Sequence, residues 1–166
     1  WGSLDSMTTA IDHLKKMGIT GGRIGVERPF MPSDSMELLQ ASLPDAEIAS
    51  ATTILENLRA VKTPAELEQL RGASEGITDS MQATFAATGE GATKHEIIER
   101  LRQEETKRGL VFDYCLIAMG SSHNRAGSDQ AWKQGEVLSL DSGGNFNGYI
   151  GDICRKARMH TKTSME

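Results

Sequence analysis

Apolar positions recur along this chain with two different periods, and the change of period divides it. In the first sixty residues Met7, Ile11 and Leu14 follow helical spacing and the run stops at Gly18, which predicts a helix. Ile24 and Val26 alternate in "GRIGVE" after a turn at Gly21 and Gly22, which predicts a strand. In "PSDSMELLQASLP", Leu38 and Leu39 form an apolar stripe, with Ser33 or Asp34 as N-cap and Pro44 as a stop. "AEIAS" follows as a second short strand. Strand, helix, strand in that order predicts parallel pairing in a small α/β layer.

From "RAVKTPAELEQL" onward the pattern is helical and then extended. Thr63, Pro64 and Glu66 form a capping-box start, and Leu67, Leu70, Ala73, Ile77, Met81 and Phe85 keep one face apolar for about six turns. Thr93 and Glu96 repeat the capping box ahead of Ile97, Ile98 and Leu101, and this second helix ends before Gly109. Three segments rich in strand formers follow, "LVFDYCLIAMG", "EVLSLDSGG" and "GYIGDICR", with Asn147-Gly148 as the hairpin signal between the last two. Helices followed by a run of strands predict an α+β domain with an antiparallel sheet.

Composition narrows the function classes. At 166 residues, 38% hydrophobic and 25% charged, the chain reads as globular material for one or two small domains. No segment approaches the length of a membrane-crossing run or resembles a signal peptide, so the chain as it stands is expected to be soluble with no membrane partner, which says little about the parent protein. A start at Trp1 rather than Met reads as a fragment whose true N-terminus is missing. The net charge of −5 argues against a nucleic-acid partner, and the basic cluster Arg155, Lys156, Arg158 and Lys162 reads as a solvated tail. Cys115 and Cys154 fit no zinc spacing and are expected to be buried small hydrophobes in strands, as suits a reducing, cytoplasmic compartment.

The chemistry concentrates in "LSLDSGGNFNGYIGDICR", Leu138 to Arg155. Opposed residues of an antiparallel pair share a face. A turn centred between Phe146 and Asn147 sets Asp141 opposite Asp152. A turn centred on Asn147-Gly148 sets Asp141 opposite Cys154 and leaves Asp152 a diagonal neighbour on the same face. Either register brings two carboxylates together unless a bulge at one of the nearby glycines intervenes. Their repulsion can be offset by a divalent metal, or avoided if the aspartates are exposed at strand ends or hold the turn.

These motifs carry a resemblance. "LRAVKTPAELEQLRGASEGI", a second capped helix and "GEVLSLDSGGNFNGYIGDICR" together resemble the first half of the creatinase/aminopeptidase (pita-bread) fold of the M24 metallopeptidases, with "GE" at Gly135-Glu136 where the family has "GD". Residues 1–60, with the "GRIGVE" strand, resemble the C-terminal part of the family's creatinase-like N-terminal domain, leaving 61–166 as the first half of the catalytic domain. The resemblance implies an Xaa-Pro aminopeptidase or prolidase-like hydrolase with two divalent ions (Mn, Co or Zn) in the intact parent. It makes Asp141 and Asp152 the first two of five metal ligands, and it gives Arg155 either a supporting carboxylate contact or a strand-capping role.

The resemblance also has gaps. The remaining His and two Glu ligands belong to the second half of the fold, so two carboxylates alone are expected to retain ions weakly or not at all. His160 and Glu166 have ligand chemistry but no family context. In "GSSHNRAGSDQAW" the family's substrate-contacting His is expected near His123, a candidate for that role, yet Asn124 or Arg125 occupies the corresponding position. Two alternatives follow: a C–N hydrolase or lyase of the same fold acting on a creatine-, ectoine- or dimethylsulfoniopropionate-like molecule, or a non-catalytic pita-bread scaffold. Half of a two-half sheet is expected to expose strand edges and an apolar face, which predicts a homo-oligomer or a second-half chain as partner.

Overall fold

The structure is a computed structural model and describes residues 2–159. His160, Lys162 and Glu166 therefore lie outside the described residues. Two compact units are distinguished, Trp1–Val61 and Lys62–Glu166.

The first unit runs α1 (Ser3–Lys16), β1 (Gly21–Val26), a 3-10 turn (Arg28–Phe30), α2 (Ser33–Ser42), β2 (Asp45–Ser50) and α3 (Thr52–Ala60). β1 and β2 pair in parallel from Gly21↔Asp45 to Val26↔Ser50, as the strand–helix–strand order predicts. Ile11, Val26, Leu39, Leu43 and Ile48 form its core. The N-cap of α2 is Pro32 rather than Ser33 or Asp34, because the first helical turn already begins at Ser33. α3 was not expected. Its N-cap, Ala51, makes no side-chain capping bond, and its apolar Ile54 and Leu58 face outward, so neither a cap nor a buried stripe announces it.

The second unit stacks α4 (Pro64–Ala87) and α5 (Lys94–Lys107) on a sheet of β3 (Val111–Met119), β4 (Val137–Phe146) and β5 (Tyr149–Arg158), in strand order β3-β4-β5 and antiparallel throughout. Both helices begin where the capping boxes place them. The Thr63 backbone N–H donates to Glu66 Oε2 at 2.7 Å, the Thr93 N–H to Glu96 Oε2 at 2.8 Å, and each threonine hydroxyl accepts from the glutamate N–H. Ala73, Ile77 and Met81 of α4 and Ile97 and Leu101 of α5 pack on Ile117, Met119, Leu138 and Leu140 of the sheet. Each large aliphatic side chain buried there contributes about 1.5–3 kcal/mol. Leu67, at the start of the predicted stripe, stays exposed.

Arg155, Lys156 and Arg158 are exposed as expected but belong to β5 rather than to a tail, since the β4 ladder continues to Val137↔Arg158. Cys154 is exposed and Cys115 only half-buried, against the expectation of two buried thiols. Cys154 alternates onto the face of the sheet that the helices leave open.

Candidate functional site

The site is built by strand alternation on β4. Leu138, Leu140 and Ser142 point into the helix-covered core and are fully buried, so Ser139, Asp141 and Gly143 point to the opposite, open face. The turn to β5 is a two-residue one. Asn147 at φ 53° and Gly148 at φ 90° both adopt left-handed backbone, the geometry that closes a tight hairpin with matching twist. This pairs Phe146 with Tyr149 and runs without a shift to Asp141↔Cys154 and Gly143↔Asp152. The second of the two predicted registers is thus the observed one. Asp152 is the diagonal neighbour of Asp141 on the open face, at a spacing of about 7–8 Å between backbones that long or polar groups can bridge.

The one register shift in the sheet lies between β3 and β4, at Phe112/Tyr114. It brings Tyr114 opposite Gly143, onto the open face. A Cβ added to Gly143 would stand 2.4 Å from Tyr114 Cε1, so the ring lies directly over β4 at the position where a side chain is missing. Hydrogen bonding to Asp152 and its negative charge favour the neutral form of the phenol and push Tyr114 up to about 12. Asp141 is bound from the other side by the Arg125 guanidinium, which donates to its Oδ2. The pair is half-exposed, with Arg125 at 51% and Asp141 at 24% side-chain accessibility.

Arg125 comes from the connection between β3 and β4, whose backbone is anchored at several points. Ile117 N–H donates to the Arg125 carbonyl at 2.9 Å, the buried Lys94 ammonium donates to the Asn124 carbonyl at 2.5 Å, and Gln130 Nε2 donates to the Met119 carbonyl at 3.2 Å. His123 lies exposed in the same connection. Arg155 donates from its guanidinium to the Cys154 carbonyl at 2.9 Å.

Directly behind Asp141, in the core, stands a group that sequence reasoning missed. Glu105 of α5 is fully buried; its Oε1 lies 2.9 Å from Ser142 Oγ, and its Oε2 has no partner. Ser142 Oγ also lies 2.7 Å from the Tyr114 carbonyl. One hydroxyl proton cannot serve both acceptors, but a proton on Glu105 can: Glu105 then donates to Ser142, and Ser142 to Tyr114. Burial pushes the Glu105 carboxyl up to about 7, which favours that protonated form. The spacing Ile97, Leu101, Glu105 was the available signal, since it sets a carboxylate in line with the apolar stripe of α5.

Two carboxylates side by side on an open face supply hard oxygen donors suited to a divalent cation. Among the described residues no third His, Cys, Asp or Glu joins them to complete an ion-holding group. The donor set therefore fits half of a metal centre. Cys115 is no substitute ligand, because burial pushes its thiol up to about 12.

Comparison with known proteins bears on the same residues. The profile described as metallopeptidase family M24 matches residues 68–164, and that of the creatinase/prolidase N-terminal domain matches residues 1–61. An "uncharacterized peptidase YqhT" of Bacillus subtilis is 29% identical over 153 residues, covering 89% of this chain and 42% of that protein. Among solved structures, an X-Pro aminopeptidase from Thermotoga maritima superposes with a TM-score of 0.79 at 20% identity, covering 95% of this chain and 46% of that one. An Xaa-Pro dipeptidase from Bacillus anthracis gives 0.79 at 21% identity, with 95% and 45% covered. The chain thus spans less than half the length of these relatives, and its fold is that of the corresponding part of the pita-bread peptidases.

Proposed function

The chain belongs to metallopeptidase family M24, and from that premise we propose that it is the N-terminal portion of a dinuclear metal-dependent hydrolase of Xaa-Pro aminopeptidase or prolidase type. The observation that carries this reading is the placement of Asp141 and Asp152 as diagonal neighbours on the open face of the sheet, within the span the family profile matches. Residues 1–60 are the end of a creatinase-like N-terminal domain, and residues 61–166 are the first half of the catalytic domain. Asp141 and Asp152 would be this chain's ligands to the two ions, with a His and two Glu of the second half supplying the rest.

When bound, two divalent ions such as Mn, Co or Zn supply Lewis acidity and lower the pKa of the attacking water. The chain's own residues prepare the site for them. Tyr114 fixes the Asp152 carboxylate through its hydroxyl, and Ser142, gripped by Glu105, locks β4 to β3 behind Asp141. His123, exposed in the β3–β4 connection, stands on the substrate side. The open face also exposes Val111, Leu116, Val137 and Ile150. The second half of the catalytic domain, or a second chain, covers them. The compartment is cytoplasmic.

One observation favours a second reading: the side chain beside Asp141 is Arg125, not a histidine. A C–N hydrolase or lyase acting on a creatine-, ectoine- or sulfonium-type molecule suits that replacement. The test is the parent restored to full length, assayed with Mn²⁺ or Co²⁺ on Xaa-Pro dipeptides and on those small molecules, with the complementary half also co-expressed beside this chain. Xaa-Pro hydrolysis and copurification of the halves are expected. Turnover of the small molecules alone would overturn the peptidase assignment, and no turnover of either would leave a scaffold.

A further inference from the structure

The carboxylate that the proposed function gives to a metal ion already has a cation on it. Arg125 donates to Asp141 Oδ2, and a guanidinium keeps its charge at any pH the protein experiences. The contact is not a chance reach of a mobile loop. The carbonyls of Asn124 and Arg125 are tied to the Lys94 ammonium and the Ile117 N–H, and Asn124 Oδ1 accepts the Ala126 N–H at 2.9 Å, so the backbone on both sides of the side chain is fixed. Lys94 is itself fully buried in α5, which makes the anchor part of the core. The guanidinium is half-exposed and can swing toward solvent without disturbing any of these bonds.

We propose that Arg125 is the resident counter-cation of Asp141, and that a divalent ion entering the site competes with it. This rests on the reading of Asp141 as a metal ligand. The guanidinium neutralises the more buried of the two carboxylates, whereas Asp152 has the uncharged Tyr114 phenol beside it and keeps its charge. Coordination through Asp141 Oδ2 competes with the guanidinium for the same oxygen, and the guanidinium charge repels a dication arriving at either oxygen. Arg125 therefore sets the metal affinity of this half-site and releases a charged, forked donor toward the open face on loading.

The test is calorimetric titration of Mn²⁺ into the chain, its R125Q variant and its D141N variant, at low and at high ionic strength. R125Q keeps the backbone anchors, which do not use the guanidinium. The expected result is Mn²⁺ binding roughly two- to tenfold tighter in R125Q than in the wild type, the scale of a half-exposed ion pair, with the gap narrowing as salt rises. D141N should lose binding. Equal or weaker binding in R125Q, with D141N still abolishing it, would overturn the counter-cation role and leave the metal ligand standing. Binding untouched by D141N would overturn the metal reading itself. No binding in either the wild type or R125Q would also overturn the proposal, since the guanidinium would then not be what holds the ion out.

Discussion

On β4, Leu140 and Asp141 are neighbours in sequence and opposites in environment. Leu140 is fully buried among residues of α4, α5 and β3, while Asp141 stands half-exposed on the face that carries Tyr114, Leu116, Asp152 and Cys154. The helix-covered face is mainly apolar, and Ser142 and Glu105, two of the polar residues buried there, bond each other; the open face mixes carboxylates with exposed Val137 and Ile150. The covered face therefore stabilises the unit, and the open face is left to bind. Strand alternation makes this division automatic, because each residue of β4 serves only one side.

The largest effect should come from cutting into the covered face. Leu140→Ala removes a fully buried side chain and should destabilise the second unit by about 2–5 kcal/mol in denaturant unfolding. A loss no greater than that of an exposed Val137→Ala control would break the distinction between the faces.

Glu105 tests a buried carboxyl in that core. Its carboxyl is raised to about 7 in the folded chain, above its unfolded value, so between roughly pH 4.5 and 7 the folded state holds the proton that the unfolded state has released. Stability should then fall as pH rises through that window and level off above it, by up to about 3 kcal/mol. Glu105→Gln carries no such proton and should flatten the slope. Unfolding midpoints measured from pH 4 to 8 decide this, and an unchanged slope in the variant would show that another group is responsible.

The smallest effect lies on the open face. In a Tyr149→Phe background, absorbance titration follows Tyr114 alone, and Asp152→Asn should bring its midpoint down from about 12 toward the ordinary value near 10, with little change in stability. An unmoved midpoint would detach Tyr114 from the proposed ligand.

The two capping boxes, the parallel β1/β2 pair and the antiparallel run were legible because each depends on residues a few positions apart. Thr63 with Glu66, and Thr93 with Glu96, announce helix starts wherever the helices then pack. α3 was not legible, because Ala51 offers no capping side chain and none of the helix's residues is fully buried in this unit. The basic cluster was read as a tail for a related reason. Nothing local in Arg155, Lys156 and Arg158 reports that β4 continues alongside them.

For the site, the sequence by itself determined that Asp141 and Asp152 share a face in either hairpin register with an even-length turn and no bulge, because side-chain direction there follows from parity. It left two registers open, and the left-handed backbone at Asn147 and Gly148 selected one. Only the tertiary structure decided that Arg125 rather than His123 meets Asp141, 16 residues away, and that Glu105 supports Ser142 across 37. Parity is a local property of the backbone. These longer meetings depend on the path of the β3–β4 connection and on how α5 packs against the sheet, and no short stretch of sequence encodes either.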